Sequence, residues 1–167
     1  MRFSVDGKEI LTVGNDEHIR VWDFPDLGSK FKVPLSLDNL KKSRMEDLDC
    51  DNHDRLIAIA TSSTIQVHER KSHQLVASLA AKPGYVFRGV RFIGTEPQSL
   101  VTIENSTSRH QPLLSLWCTK SWTRRSSSRL PARLRVTTLS VAGDLIALGA
   151  ADGTVAVYDA QLKVKGV

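Results

Sequence analysis

Two stretches of this chain are written to one pattern, Asp16-Glu-His-Ile-Arg-Val-Trp-Asp23 and Asp152-Gly-Thr-Val-Ala-Val-Tyr-Asp159. In each, an Asp stands six positions before an aromatic residue that closes an alternating segment, and a second Asp follows at once. Counting the closing positions gives Trp22, His68, Trp117 and Tyr158, spaced by 46, 49 and 41 residues. A period of that size marks a supersecondary unit that cannot hide both its faces alone and must stack on its own copies.

Each unit reads as short strands separated by turns. The first, about 1–35, offers Phe3-Ser-Val-Asp-Gly7, Ile10 to Gly14 and Ile19 to Trp22, with turns at Asp6-Gly7 and Asn15-Asp16. The second, about 45–80, offers Leu56 to Ala60, Thr64 to His68 and Leu75 to Leu79. The third, about 85–125, runs through Val86 to Phe92, Leu100 to Ile103 and Leu113 to Trp117, with a long polar insertion expected from Glu104 to Pro112. The fourth, about 134–160, has Thr137 to Val141, a Gly143-Asp144 turn, Leu145 to Gly149 and Thr154 to Tyr158. No sustained helical period intervenes; Leu37 to Asp47 could form a helical turn and reads as an inter-blade loop. The expected fold is therefore all-β, a propeller of about four blades.

Composition excludes little and supports a globular domain. Hydrophobic residues make up 41% and charged residues 25%, and no apolar run reaches the roughly 18 residues of a membrane span. The opening Met1-Arg-Phe-Ser-Val lacks the apolar stretch of a signal peptide. Cys50 and Cys118 have no metal-ligand spacing and read as structural thiols of a reducing compartment. His18, His53, His73 and His110 show neither helical i, i+4 spacing nor cysteine partners, so no metal site is expected. His53 with Asp49, Asp51 and Asp54 is the nearest approach to one, and acidic residues before a strand read more simply as a turn. Phosphate loops and nucleophile elbows are missing, which leaves covalent catalysis as the weakest class.

The signature resembles the end of a WD repeat, and the ordered series around it resembles one family of WD proteins. Phe87-Arg-Gly-Val-Arg-Phe92, Leu100-Val-Thr-Ile-Glu-Asn105, Leu114-Ser-Leu-Trp117, Leu139-Ser-Val-Ala-Gly143 and Leu148 to Tyr158 follow one another as in the prolactin regulatory element-binding protein family. Asp16 to Pro25, ending in Val-Trp-Asp-Phe-Pro, and Glu46-Asp-Leu extend the likeness over nearly the whole chain. The resemblance implies part of a seven-bladed WD-repeat propeller. It further implies a place on the cytosolic face of the endoplasmic reticulum membrane, and guanine-nucleotide exchange on the small GTPase of the COPII coat during transport to the Golgi. Such a factor binds the nucleotide-free GTPase better than the loaded form, so no covalent chemistry and no enzyme-type active site is implied.

The family's exchange loop binds potassium and its membrane anchor is a carboxy-terminal helix. Neither has a counterpart in this sequence, so the chain is expected to be a fragment lacking both, and no cofactor or catalytic residue is assigned. The matching positions are structural: Asp16 and Asp152 are expected to fix turns, and Trp22, Trp117 and Tyr158 to fill space between blades. The alternative is a generic WD-repeat scaffold that binds other proteins through the propeller surface.

Charge is concentrated in one place. Lys120, Arg124, Arg125, Arg129, Arg133 and Arg135 occur within a stretch free of acidic residues, and the formal net charge of the whole chain is +5. Read as a loop around Ser126-Ser-Ser128 and beside Trp122, the stretch offers a site for phosphates of lipid headgroups or nucleic acid. The simpler reading is a solvated connection on the rim, and it is favoured.

Overall fold

The computed structural model describes residues 1–14, 16, 18–34, 44–94, 98–108, 111–131 and 134–167, with backbone alone over 29–34. Asn15, most of the 37–47 segment, His110 and Arg133 lie outside the described residues.

Sixteen strands and no helix occur among these residues, and the strands form four antiparallel sheets of four. The first sheet takes β1 (Arg2–Phe3), β2 (Glu9–Gly14), β3 (His18–Asp23) and β4 (Ser29–Pro34), in that order. The second takes β5 (Met45–Cys50), β6 (Leu56–Thr61), β7 (Thr64–Glu69) and β8 (Leu75–Ala80). The third takes β9 (Tyr85–Ile93), β10 (Ser99–Ser106), β11 (Leu113–Cys118) and β12 (Arg124–Arg129). The fourth takes β13 (Val136–Ala142), β14 (Leu145–Ala150), β15 (Val155–Asp159) and β16 (Val164–Gly166). Sequence neighbours are sheet neighbours throughout, which keeps every pairing local.

Alternation along the strands gives each sheet two faces, and the register shows which neighbour each face meets. Trp117 lies opposite Leu100. Both belong to a buried cluster with Ala58, Ile65 and Val67 of the second sheet. Tyr158 lies opposite Ile146, in a cluster with Val101 and Leu114 of the third sheet. His68 lies opposite Ile57, which packs with Leu11 and Val21 of the first. The closing aromatic or histidine of each blade thus faces the blade before it. Trp22, opposite Ile10, has no earlier blade in this chain and is half-buried, and Phe3 and Phe24 meet edge-to-face nearby at 5.4 Å.

The turns repeat as faithfully as the strands. In the β3–β4, β7–β8, β11–β12 and β15–β16 connections a non-glycine residue adopts a left-handed conformation: Leu27, His73, Trp122 and Leu162, with φ between 55° and 61°. At the first three, that residue's N–H returns to the carbonyl of the last strand residue, Asp23, Glu69 or Cys118, at 2.7 to 2.8 Å. Four unrelated side chains hold one backbone geometry, each against a local cost of about 1–2 kcal/mol, so the blade fold imposes these turns.

Two sequence expectations need correction. Glu104, Asn105 and Ser106 belong to β10, which passes a bulge after Ile103 and pairs on with Phe87, Val86 and Tyr85. The polar insertion is therefore shorter, because Glu104 and Asn105 find partners inside the fold and need no loop. Arg124 to Arg129 form the outer strand β12, where a loop was expected. An outermost strand is held by ladder bonds to apolar β11, so it needs no apolar alternation of its own.

Candidate functional site

The inner strands β1, β5, β9 and β13 carry equivalent register positions. Counting from the closing residue across each sheet, Arg2, Asp49, Arg91 and Ser140 occupy one level, one per blade. With the β5–β6, β9–β10 and β13–β14 turns they line a cavity of about 470 Å³ at the mouth of the channel, rimmed by Asn52, Gly94 and Asp144. Sequence reading missed this set, since Arg2 and Arg91 acquire meaning only once the blades are in register.

Asp47 and Asp49 do more than line the wall. Each inner strand is a sheet edge with N–H groups pointing away from its own sheet. The Asp47 Oδ2 accepts from the Val90 N–H at 3.2 Å, and the Asp49 Oδ2 from the Phe92 N–H at 2.8 Å. Carboxylates of β5 thereby satisfy the free edge of β9, which would otherwise invite strand addition. Arg91 pairs with Asp47, and Arg2 Nε lies 3.3 Å from Asp49 Oδ1. Further junction contacts run from Arg70 to Glu9, from Arg88 to Glu46, and from Asn105 Nδ2 to the Val136 carbonyl, while Arg70 also pairs with Asp54 of its own blade.

Burial pushes Asp49 up to about 6, against the opposing Phe92 hydrogen bond and Arg2. Because the folded value exceeds the unfolded value of about 3.9, the Asp49 contribution to stability is complete below about pH 4 and is lost as pH rises through about 6. His68, lowered by burial, works in the opposite direction as pH falls. The difference in unfolding free energy between wild type and Asp49→Asn isolates the first effect. It should shift by about 2 kcal/mol in favour of wild type between pH 7 and pH 4, measured by urea titration at each pH; a difference flat with pH would contradict the assignment.

The acidic cluster around His53 separates into turn-locking roles, and no metal-holding group occurs among the described residues. Asp51 is fully buried and its Oδ1 accepts the N–H groups of Arg55 and Leu56 at 2.5 and 2.8 Å. Ser4 does the same job one blade earlier, its hydroxyl accepting the Glu9 N–H at 2.9 Å. Asp54 accepts the Val5 N–H at 3.0 Å, across the first junction.

Among the signature residues, Asp152 Oδ1 accepts the Thr154 N–H at 2.9 Å, and Asp16 pairs with Arg20. Trp22 Nε1 donates to Thr12 Oγ1 at 3.0 Å, and Trp117 Nε1 to Thr102 Oγ1 at 2.9 Å, the same diagonal contact two blades apart. Where Ile59 or Leu148 replaces that threonine, the closing residue is His68 or Tyr158. His68 turns to Gln66 Oε1 and the His73 carbonyl instead.

The basic stretch does not act as one patch. Arg124 stacks over the Trp117 ring at 4.5 Å and places Nη2 2.8 Å from the fully buried Glu104, so it is half-buried and occupied within the third blade. Arg125 and Arg129 are exposed on β12, Lys120 lies in the β11–β12 turn, and Arg135 is exposed just before β13.

Both cysteines are free. Hydrogen bonds from Ser121 and Lys120 hold the Cys118 thiol down to about 7, whereas burial pushes Cys50 up to about 12. Iodoacetamide at neutral pH should alkylate Cys118 at least about tenfold faster than Cys50, by peptide mass spectrometry; equal rates would contradict this.

No protein-family model matches the chain, and no curated protein does either. Among solved structures it is similar to the WD40 repeats of RRP9, with a TM-score of 0.77 and 16% identity over 98% of this chain and 48% of that one. It is equally similar to U3-55K, with a TM-score of 0.77 and 16% identity over 98% of this chain and 49% of that one. The chain spans about half the length of these structures. What it shares with them is the fold: four consecutive blades of a WD40-repeat β-propeller.

Proposed function

We propose that the chain is a protein-interaction scaffold whose partner surface is the channel mouth. The observation that carries this is the alignment of Arg2, Asp49, Arg91 and Ser140, one from each blade, around a polar cavity rimmed by exposed turns. Carboxylates in the described residues are largely engaged in turns and blade junctions. A surface assembled from several repeats suits recognition of a polypeptide segment, with specificity set by the rim.

A photo-crosslinking residue placed at Asn52 or Asp144 tests this reading in cells. Discrete protein adducts from both sites, and none from Lys71 on an outer turn, are expected. Adducts at Lys71 alone, or at no site, would contradict it.

A narrower reading, nucleotide exchange on the COPII small GTPase, is supported by the ordered motif series from Phe87 to Tyr158. Release of a fluorescent GDP analogue from that GTPase, accelerated by the folded chain, would favour it. An unchanged release rate with the chain and with a folded version extended through its flanking transcript leaves the scaffold as the account of this chain.

A further inference from the structure

Ion pairing divides the arginines of this protein sharply. Among the described residues, every arginine before Arg125 stands within ion-pair distance of a carboxylate. Arg125, Arg129 and Arg135 have no such partner among the described residues; the first two lie on β12 and the third just before β13. Elsewhere among the described residues the fold supplies a counter-charge to each guanidinium; on β12 it leaves Arg125 and Arg129 exposed, with Lys120 in the preceding turn.

The strand that bears them is also an open edge. The third sheet runs β12-β11-β10-β9, so alternate N–H and C=O groups of β12 point outward without a strand partner among the described residues. Between Arg125 and Arg129 lie Ser126, Ser127 and Ser128, small enough for another backbone to approach. Arg125 is the extra residue of a bulge between the pairs Trp117–Arg124 and Leu116–Ser126. It is separated from Arg129 by about 13 Å at about 3.3 Å per residue. Carboxylates four positions apart on an added strand have that same separation.

Charge alone would also suit a nucleic acid, but the strip has no aromatic platform among the described residues. The Trp117 ring is covered by Arg124, and Trp122 packs against the second and third blades. Base stacking, which carries much of single-strand binding, has nothing to use.

We propose that β12 is a docking edge for an acidic, extended segment of a partner protein. The segment adds as a fifth strand to the third sheet, its carboxylates meeting Arg125, Arg129 and the flanking Lys120. This goes beyond the scaffold reading by adding a second partner surface, on the outer edge of the third blade.

Fluorescence anisotropy with a labelled peptide of about ten residues, alternating Glu with Thr, tests the site on the full chain. Three controls accompany it: the same peptide with Gln for Glu, one with Pro at every second Thr, and a single-stranded oligonucleotide of equal charge. The Glu–Thr peptide should bind, and both peptide controls should bind at least about tenfold more weakly. Arg125→Glu combined with Arg129→Glu should weaken the Glu–Thr peptide by a similar factor while circular dichroism stays unchanged. Both side chains are exposed, so this variant keeps the core intact.

Failure of the Glu–Thr peptide to bind overturns the proposal. Equal binding of the Pro peptide or the oligonucleotide does so as well, since that is attraction to any polyanion without strand pairing. Unchanged binding by the folded double variant also overturns it. None of these results touches crosslinking at Asn52 and Asp144, so loss of this site and loss of the scaffold reading remain distinguishable.

Discussion

Replacing Glu104 with Ala should destabilise the protein by about 3–5 kcal/mol, the largest single effect expected at a charged residue. Glu104 is fully buried, its Oε2 accepts the Lys82 N–H at 3.0 Å, and its Oε1 faces Arg124 Nη2 at 2.8 Å. Truncation leaves the Arg124 guanidinium without its counter-charge beside an apolar ring, and it orphans the Lys82 N–H. Glu104→Gln keeps an acceptor for Lys82 and should cost less. A double-mutant cycle with Arg124→Ala separates the pair from its surroundings: a coupling above about 1 kcal/mol is expected, whereas additive losses would mean that the two side chains act independently.

Trp117→Ala should cost about 3–5 kcal/mol, read from chemical denaturation. Trp117 is 7% exposed, donates to Thr102, packs on the second blade and carries Arg124 on its ring face. Trp22 makes the equivalent hydrogen bond to Thr12 but presents its face to no preceding blade, so Trp22→Ala should cost about 1–2 kcal/mol. The comparison is informative because the two residues look alike in sequence. Equal losses would contradict the view that a closing aromatic draws its stabilisation from the blade before it.

How far the sequence reveals the fold can be judged from particular residues. Trp22, Trp117 and Tyr158 announce a period because a packed aromatic at the end of an alternating strand is chemically conspicuous. The outer strands were harder: β12 is Arg-Arg-Ser-Ser-Ser-Arg and β16 a short run near the end of the chain, and neither shows the alternation that signals a strand. Ladder bonds to an apolar neighbour hold them, and such bonds leave no mark on side-chain composition. The left-handed residues Leu27, Trp122 and Leu162 escape for the same reason, since none is a residue type that favours the conformation.

The channel mouth was not legible at all. Arg2 and Arg91 are ordinary cations in the sequence, and their alignment with Asp49 and Ser140 depends on four registers set by separate hairpins. Arg124 is the reverse case. It reads as one of six cations in an acid-free stretch, yet its counter-charge lies twenty positions earlier in a segment that reads as a loop. The arginines that remain exposed are identified only after Arg124 has been removed from the group.

The blades stack through their inner edges, and amide hydrogen exchange tests that directly. The N–H groups of Val90 and Phe92 point away from β10 and are held only by Asp47 and Asp49 of the preceding blade. Stacked blades predict that both amides exchange as slowly as the core of β10, with one shared opening free energy, and that Asp47→Ala combined with Asp49→Ala releases them first. Exchange of Val90 and Phe92 at the rate of unprotected amides, while β10 stays protected, would show four separate sheets and contradict the account.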